Sequence, residues 1–298
     1  MSILKVDSIQ KSYGRELVLD NISFEILNPQ IVALVGPNGS GKSTLLNIIT
    51  NILQPDNGEI RIFDKPNSDP NIFKETSFMQ DHSVLYDYLT GYDHLQFIAE
   101  VQSLPKERII ETARLIGNES YLNKKVKNYS LGMKQHLLLS MAIINQPKLL
   151  ILDEPLNGLD PTSSIRVREL LMELLKKGTT ILLSSHNLGE IDRVTSNILF
   201  IKKGQLIEED LSMFEETVYS FTVDKKNQAV KPLLECQIQV KIENDRLRIP
   251  VKNHSLQEIL MILHENGVQV VDIEKRVSGS EDRYRQIFGE KEKKDEVF

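Results

Sequence analysis

Two hydrophobic periods run along this chain and change places several times. Residues 3–9 and 22–26 alternate apolar and polar side chains, the period of a strand with one buried face. The segment IVALVG at 31–36 is an almost continuous apolar run, as in a parallel strand covered on both sides. From 43 to 53, STLLNIITNIL shifts to helical spacing, and Pro55 with Gly58 marks its end. The runs LLILD at 149–153 and TTILLSS at 179–185 predict two more buried strands. Between them, residues 164–178 read as an amphipathic helix closed by Gly178. Buried strands alternating with helices specify a parallel α/β sheet. From about 85 to 145 the rhythm breaks into helical stretches at 93–104, 106–117 and 131–144, which predicts a helical insertion.

After about residue 212 the texture changes again. A strand at 218–224 and a helix at 229–235 precede a hairpin of 237–243 and 246–252 around Asn244-Asp245. A helix at 255–267 and a strand at 268–276 follow. That β-α-β-β-α-β order is the ferredoxin-like arrangement. The expected division is therefore 1–212 for the α/β part and 217–298 for a small accessory α+β domain. The closing KEKKDEVF is charged and is expected to fray.

The polar residues that interrupt these patterns carry the chemistry. Gly36-Pro37-Asn38-Gly39-Ser40-Gly41-Lys42-Ser43-Thr44 satisfies G-x-x-x-x-G-K-[ST] between a buried strand and a helix. A polyphosphate needs several donors aimed at one place. A glycine-rich turn lets backbone N–H groups converge without Cβ obstruction. The following helix adds free N–H groups and the positive end of its dipole. Lys42 supplies a formal charge, and Ser43 supplies a hydroxyl oxygen suited to Mg²⁺. Asp153 and Glu154 close the run LLILD at the strand end where open α/β sheets bind ligands. Asp153 is the expected Mg²⁺ ligand. Neighbours in extended chain point to opposite sides, which leaves Glu154 as the base or orienter of an attacking water.

With these residues in place, the sequence resembles the nucleotide-binding subunits of ABC transporters over roughly residues 1–212. The resemblance implies a P-loop NTPase core with N-terminal antiparallel strands and a helical subdomain, and it implies further site residues. Gln80, in SFMQD, is similar to the glutamine that joins core and helical subdomain and reaches Mg²⁺ and water. Tyr13 stands where the family places an aromatic against adenine. Tyr129-Ser130-Leu131-Gly132-Met133-Lys134-Gln135 resembles the family signature, with Leu131 and Met133 departing from its common form and His136 standing where many relatives have Arg. Gly158, Leu159 and Asp160 resemble the loop that couples two sites, and His186 the switch histidine. The signature form resembles the branch exporting antimicrobial peptides, including bacitracin- and lantibiotic-type systems.

In that family each ATP lies between two cassettes, with Ser130 and Gly132 of one facing Lys42 and Ser43 of the other. One copy of each motif implies a homodimer or a heterodimer with a related subunit. A separately encoded transmembrane permease is the expected partner, docking near Gln80 on residues 81–95. Location on the inner face of the cell membrane follows as an expectation.

Composition narrows the alternatives. A net charge of -6 argues against non-specific nucleic-acid binding. A single cysteine, Cys236, excludes an intrachain disulfide and fits a reducing compartment. Nowhere do 18 consecutive apolar residues occur, so no membrane-spanning helix is expected. A soluble ABC-type ATPase acting on ribosomes or nucleic acid is the competing expectation, and a regulatory binding protein without turnover is a third.

Overall fold

The computed structural model describes residues 2–214, 217–243, 245–250, 254–277 and 280–289. The chain divides into two compact units, Met1–Glu209 and Asp210–Phe298.

The first unit contains two sheets. β1 (Leu4–Tyr13) and β2 (Glu16–Ile26) form an antiparallel hairpin through Gly14 and Arg15. Two later strands, β4 (Asn57–Ile62) and β5 (Lys65–Pro66), complete the sheet order β2-β1-β4-β5. The hairpin is longer than the alternation at 3–9 and 22–26 predicts. The reason is a bulge: Ser8 takes φ 54°, and the register shifts between Val6 and Ile9. One extra residue moves the buried set from Leu4 and Val6 to Ile9, so the phase of the sequence pattern breaks while the buried face continues.

The second sheet has the order β10-β9-β3-β8-β7-β6. Its strands are β3 (Ile31–Val35), β6 (Thr76–Met79), β7 (Leu149–Leu152), β8 (Thr180–Ser185), β9 (Asn197–Lys202) and β10 (Gln205–Asp210). β3 pairs in parallel with β8 and β9, and β7 with β6 and β8. Every residue of β3, β7 and β8 is buried, which is why the sequence shows runs there rather than alternation. Leu34, Ile151, Leu182, Leu199 and Ile201 share one core with Leu45, Leu46, Ile48 and Ile49 of α1 (Lys42–Ile49).

α1 stops at Ile49, short of the predicted 53. The Thr50 hydroxyl donates to the Leu46 carbonyl, and Asn51 turns left-handed at φ 59°, so the chain leaves the helix before Pro55. The insertion follows β6 and holds α2 (Gly91–Val101), α3 (Glu107–Ile116) and α4 (Leu131–Ile143). Thr90 and Asp93 start α2 with a reciprocal capping box, and the Ser130 hydroxyl starts α4 by accepting from Met133 N–H. α5 (Pro161–Lys176) begins three residues before the predicted 164 because Asp160 caps it, accepting from the N–H groups of Thr162 and Ser163. α6 (Leu188–Ile191) follows β8. Among the described residues no helix is long and apolar enough to cross a membrane.

In the second unit, β11 (Thr217–Val223), α7 (Lys226–Glu235), β12 (Lys241–Glu243), β13 (Arg246–Pro250), α8 (Leu256–Glu265), β14 (Val270–Val277) and α9 (Ser280–Phe288) follow in turn. The sheet order is β12-β13-β11-β14, and its pairs are antiparallel. Phe221, Val223, Leu247 and Ile249 pack against Ala229, Leu233, Ile259 and Leu263. The predicted hairpin is shorter than 237–243 suggests: Gln237 takes φ 61° and β12 starts only at Lys241. Asn244 and residues 251–252 of that expectation lie outside the described residues, as does KEKKDEVF. α9 was not anticipated from the periodicity.

Candidate active site

β3 delivers the chain into the loop 36–41, and α1 begins immediately after it. Gly41 is the N-cap residue at φ 100°. A Cβ there would lie 2.8 Å from Leu19 Cδ2 and 3.2 Å from the Val18 carbonyl, so both the backbone angle and the closeness of β2 require glycine. No side chain caps α1, and no acidic residue occupies its first turn. The helix therefore presents its N–H groups and positive dipole end to whatever approaches the loop. Ser40 Oγ is buried without a hydrogen-bond partner. The ammonium of Lys42 is buried and donates to the carbonyls of Gly36 (2.7 Å) and Pro37 (3.2 Å). Burial lowers its pKa, and the charges of Glu154 and Asp153 act in the opposite direction. This cradle fits a polyphosphate: an anion would satisfy the unpartnered hydroxyl, the uncapped helix and the buried cation together.

The two acids both follow β7, between the ends of β6 and β8. Asp153 N–H donates to the Met79 carbonyl (2.9 Å), which places Asp153 beside Gln80 at the end of β6. Ser184, in β8, donates its hydroxyl to Asp153 Oδ1 (2.5 Å) and accepts from Glu154 N–H (2.9 Å). Glu154 has φ 51°. The expected separation of the two acids by strand alternation is therefore corrected. β7 ends at Leu152, and Glu154 is left-handed rather than extended, so the strand pleat does not continue through the pair. His186, just after β8, bonds through Nδ1 to Glu154 Oε2 at 2.9 Å, and its ring is about half exposed. With Nδ1 on the carboxylate, Nε2 is the ring atom left to meet a second group.

A second cluster forms at the start of α4. Ser130 is exposed at the helix N-terminus, with Leu131, Gly132 and Met133 in the first turn. Leu131 lies on Gly158, where a Cβ would come within 2.3 Å of Leu131 Cδ2 and φ is 73°. A Cβ at Gly132 would lie 3.8 Å from both the Gly158 carbonyl and Leu159 Cδ2. The structure thus joins Leu131 and Gly132 to Gly158 and Leu159 within one chain. His136, further along α4, bonds through Nδ1 to the Tyr121 hydroxyl at 3.1 Å, while its Nε2 is buried without a partner. Burial and the nearby Arg166 hold its pKa below the ordinary value, against a smaller pull from Asp160. Tyr121 is itself pushed up to about 12 by burial. Tyr13 ends β1 half exposed, 6.0 Å from Lys11 Nζ, in the hairpin whose Val18 and Leu19 face Gly41.

One residue, Ser184, escapes the sequence reading, and Gln135 enters it only as the last residue of the signature stretch, without a partner. Gln135 Nε2 donates to the Glu154 carbonyl at 2.9 Å, and Ser184 bridges the two acids. The available signal is a polar side chain among buried apolar ones: Gln135 before Leu137 and Leu138, Ser184 after Leu182 and Leu183. No group of three or more His, Cys, Asp or Glu side chains able to hold a metal occurs among the described residues. The oxygens that the sequence reading assigns to a cation are those of Asp153, Ser43 and Gln80. Such a sparse set suits Mg²⁺, which takes few protein ligands and shares the phosphates of its substrate.

Known proteins are similar to this chain in sequence and in fold. Residues 19–157 match the model of the ABC transporter family. The lantibiotic transport ATP-binding protein SrtF of Streptococcus pyogenes is 35% identical over 207 residues, covering 70% of this chain and 90% of its own. The bacitracin transport ATP-binding protein BcrA of Enterococcus faecalis is 30% identical over 299 residues, covering 96% of each. The dimeric post-hydrolysis structure of the ATP-binding cassette MJ0796 bound to ADP and Pi is 26% identical, with a TM-score of 0.65, over 70% of this chain and 98% of that one. With identity of this order along nearly its whole length, the chain belongs to the ABC transporter ATP-binding proteins and is an ATPase.

Proposed function

We propose that this chain energises a separately encoded transmembrane permease that exports a peptide antibiotic or another amphipathic compound. The observation that carries the catalytic part is the triple anchoring of Glu154. Its N–H is held by Ser184, its carbonyl by Gln135 and its carboxylate by His186 at 2.9 Å. A base fixed at three points, close enough to Lys42 for its charge to act on that ammonium, is oriented for a water attacking a bound γ-phosphate. Lys42, Ser43, Thr44 and the loop Gly36–Gly41 bind the phosphates, and Tyr13 stacks on the adenine. Ser43, Gln80 and Asp153 would hold Mg²⁺, which supplies neutralisation of phosphate charge when bound. His186 contacts the γ-phosphate through Nε2.

The export reading draws on the likeness to the bacitracin and lantibiotic transport proteins. The exposed Ser130 hydroxyl and α4 N-terminus carry the dimer reading. They form a second anion-binding end in a chain whose own phosphate loop already has one, so they face the ATP of a second copy or a related subunit, head to tail. Gly158–Asp160 accompanies Ser130 to that interface. Closure and opening are then a population shift governed by how much better the closed pair binds ATP than ADP. Residues 1–212 form the nucleotide-binding domain and 217–298 an accessory domain. The assembly is cytoplasmic, peripheral on the inner face of the membrane.

Replacing Glu154 by Gln tests this reading. The variant is expected to bind ATP, to hydrolyse it about 10²–10⁴-fold more slowly, and to elute as a dimer in Mg-ATP by size-exclusion chromatography. Wild-type turnover in the variant removes the base assignment. A persistent monomer removes the head-to-tail site. Co-purification with ribosomes instead of a polytopic membrane protein would replace the transport reading with the soluble one.

A further inference from the structure

The face of α4 behind the exposed Ser130 is fastened to the chain that carries Glu154. Leu131 and Gln135 are four residues apart, one helical turn, and so lie on the same face. Gly158 and Glu154 are also four residues apart, in the loop after β7. Leu131 covers Gly158 so closely that a Cβ there would meet Leu131 Cδ2 at 2.3 Å. Gln135 is only 7% exposed and donates to the Glu154 carbonyl at 2.9 Å. Two rungs therefore tie one helix face to one loop. The second rung ends on a residue whose left-handed φ of 51° is unfavourable for a side chain larger than glycine. A residue in that region stays there only when its surroundings hold it.

We propose that Gln135 is a positioning residue for hydrolysis: its amide holds the Glu154 backbone in the left-handed conformation that aims the carboxylate at the water. The inference rests on the reading of Glu154 as the base, and it adds a route. A shift of the α4 N-terminus, as when Ser130 engages a partner's nucleotide, is carried along one helix to the base of the same chain. The amide is the donor, and it is the shorter of two bonds on the Glu154 carbonyl: Gln135 Nε2 at 2.9 Å from α4, and Asn157 N–H at 3.2 Å from the turn that Glu154 itself begins. Without the Gln135 bond, the carbonyl keeps only its contact within its own turn, from Asn157 N–H, nothing ties it to α4, and its orientation spreads.

The test uses the purified full chain, with steady-state ATP hydrolysis, binding of a fluorescent ATP analogue and thermal melting. Gln135→Met keeps the length and removes the donor. Gln135→Glu keeps the shape and opposes an oxygen to the carbonyl. Expected is a fall in kcat of about tenfold for Met, the factor that one unmade buried hydrogen bond represents, and a larger fall for Glu. KM for ATP, analogue affinity and melting temperature stay within about twofold or a few degrees of wild type. Unchanged kcat in either variant, or a loss of nucleotide affinity matching the loss of rate, overturns the proposal. A second measurement covers a folding defect in either variant. In a Glu154→Gln background, Gln135→Met is expected to slow hydrolysis no further, because the base it positions is gone. An undiminished tenfold effect there overturns the inference while leaving the base intact. Normal turnover in Glu154→Gln alone instead removes the base reading on which both stand.

Discussion

Two helices of this molecule begin in opposite ways. α1 starts at Gly41 with no side-chain cap and no acid in its first turn. α8 starts at Ser255 with a full capping box: the Ser255 hydroxyl accepts from Glu258 N–H, and the Glu258 carboxylate accepts from Ser255 N–H. A helix start left without internal partners destabilises the fold unless a ligand occupies it, whereas one filled by its own side chains is structural. The contrast extends to the charges nearby. Around α1, Lys42 is buried on its own loop carbonyls and Ser40 Oγ has no partner. In the second unit, Arg246 bonds both Asp272 and Glu274, and Arg248 pairs with Glu243 across β12 and β13. The groups around α1 are left aimed at a substrate, whereas those at the start of α8 and across β12–β14 are satisfied by side chains of their own unit.

Breaking the phosphate end should give the largest effect. Lys42→Ala is expected to abolish tight ATP binding, measured by titration with a fluorescent ATP analogue, because the triphosphate loses the only formal charge within the loop. Undiminished affinity would reduce the contrast between the two helix starts to a coincidence. Glu154→Gln comes next, with its loss of turnover and retained binding. Removing the structural cap sharpens the comparison from the other side. Ser255→Ala should lower the stability of the second unit by about 1 kcal/mol, read from denaturant unfolding, and leave ATP hydrolysis unchanged. A comparable fall in hydrolysis would show that the second unit is not merely structural.

The smallest effect concerns His136. Its folded pKa lies below the ordinary 6.5, through burial first and Arg166 second. The folded state therefore holds fewer protons than the unfolded state below that pH, and stability falls as pH drops through the unfolded value. His136→Gln should flatten the loss of stability between roughly pH 7.5 and 5.5, measured as melting temperature against pH. An unchanged slope would place the acid sensitivity on other groups. The structure also gives His136 a definite place: it packs on Tyr121 along α4 rather than reaching the start of the signature helix.

Sequence alone determined the parts that depend on local pattern. Fully buried strands read as apolar runs because both faces are covered, and the loop Gly36–Thr44 reads as a phosphate cradle because glycine and lysine spacing follows the backbone. The β-α-β-β-α-β order of the second unit was legible for the same reason. Tertiary structure decided what local pattern cannot encode. The bulge at Ser8 shifted the phase of β1, and a left-handed residue at Glu154 ended the extended run that local pattern predicts for the two acids. Gln135 and Ser184 became site residues only when α4 and β8 were packed beside β7, since a single polar side chain in an apolar run acquires meaning from the carbonyl or carboxylate that folding brings to it. Residue type and spacing fix which groups can act, and long-range packing fixes which atoms they meet.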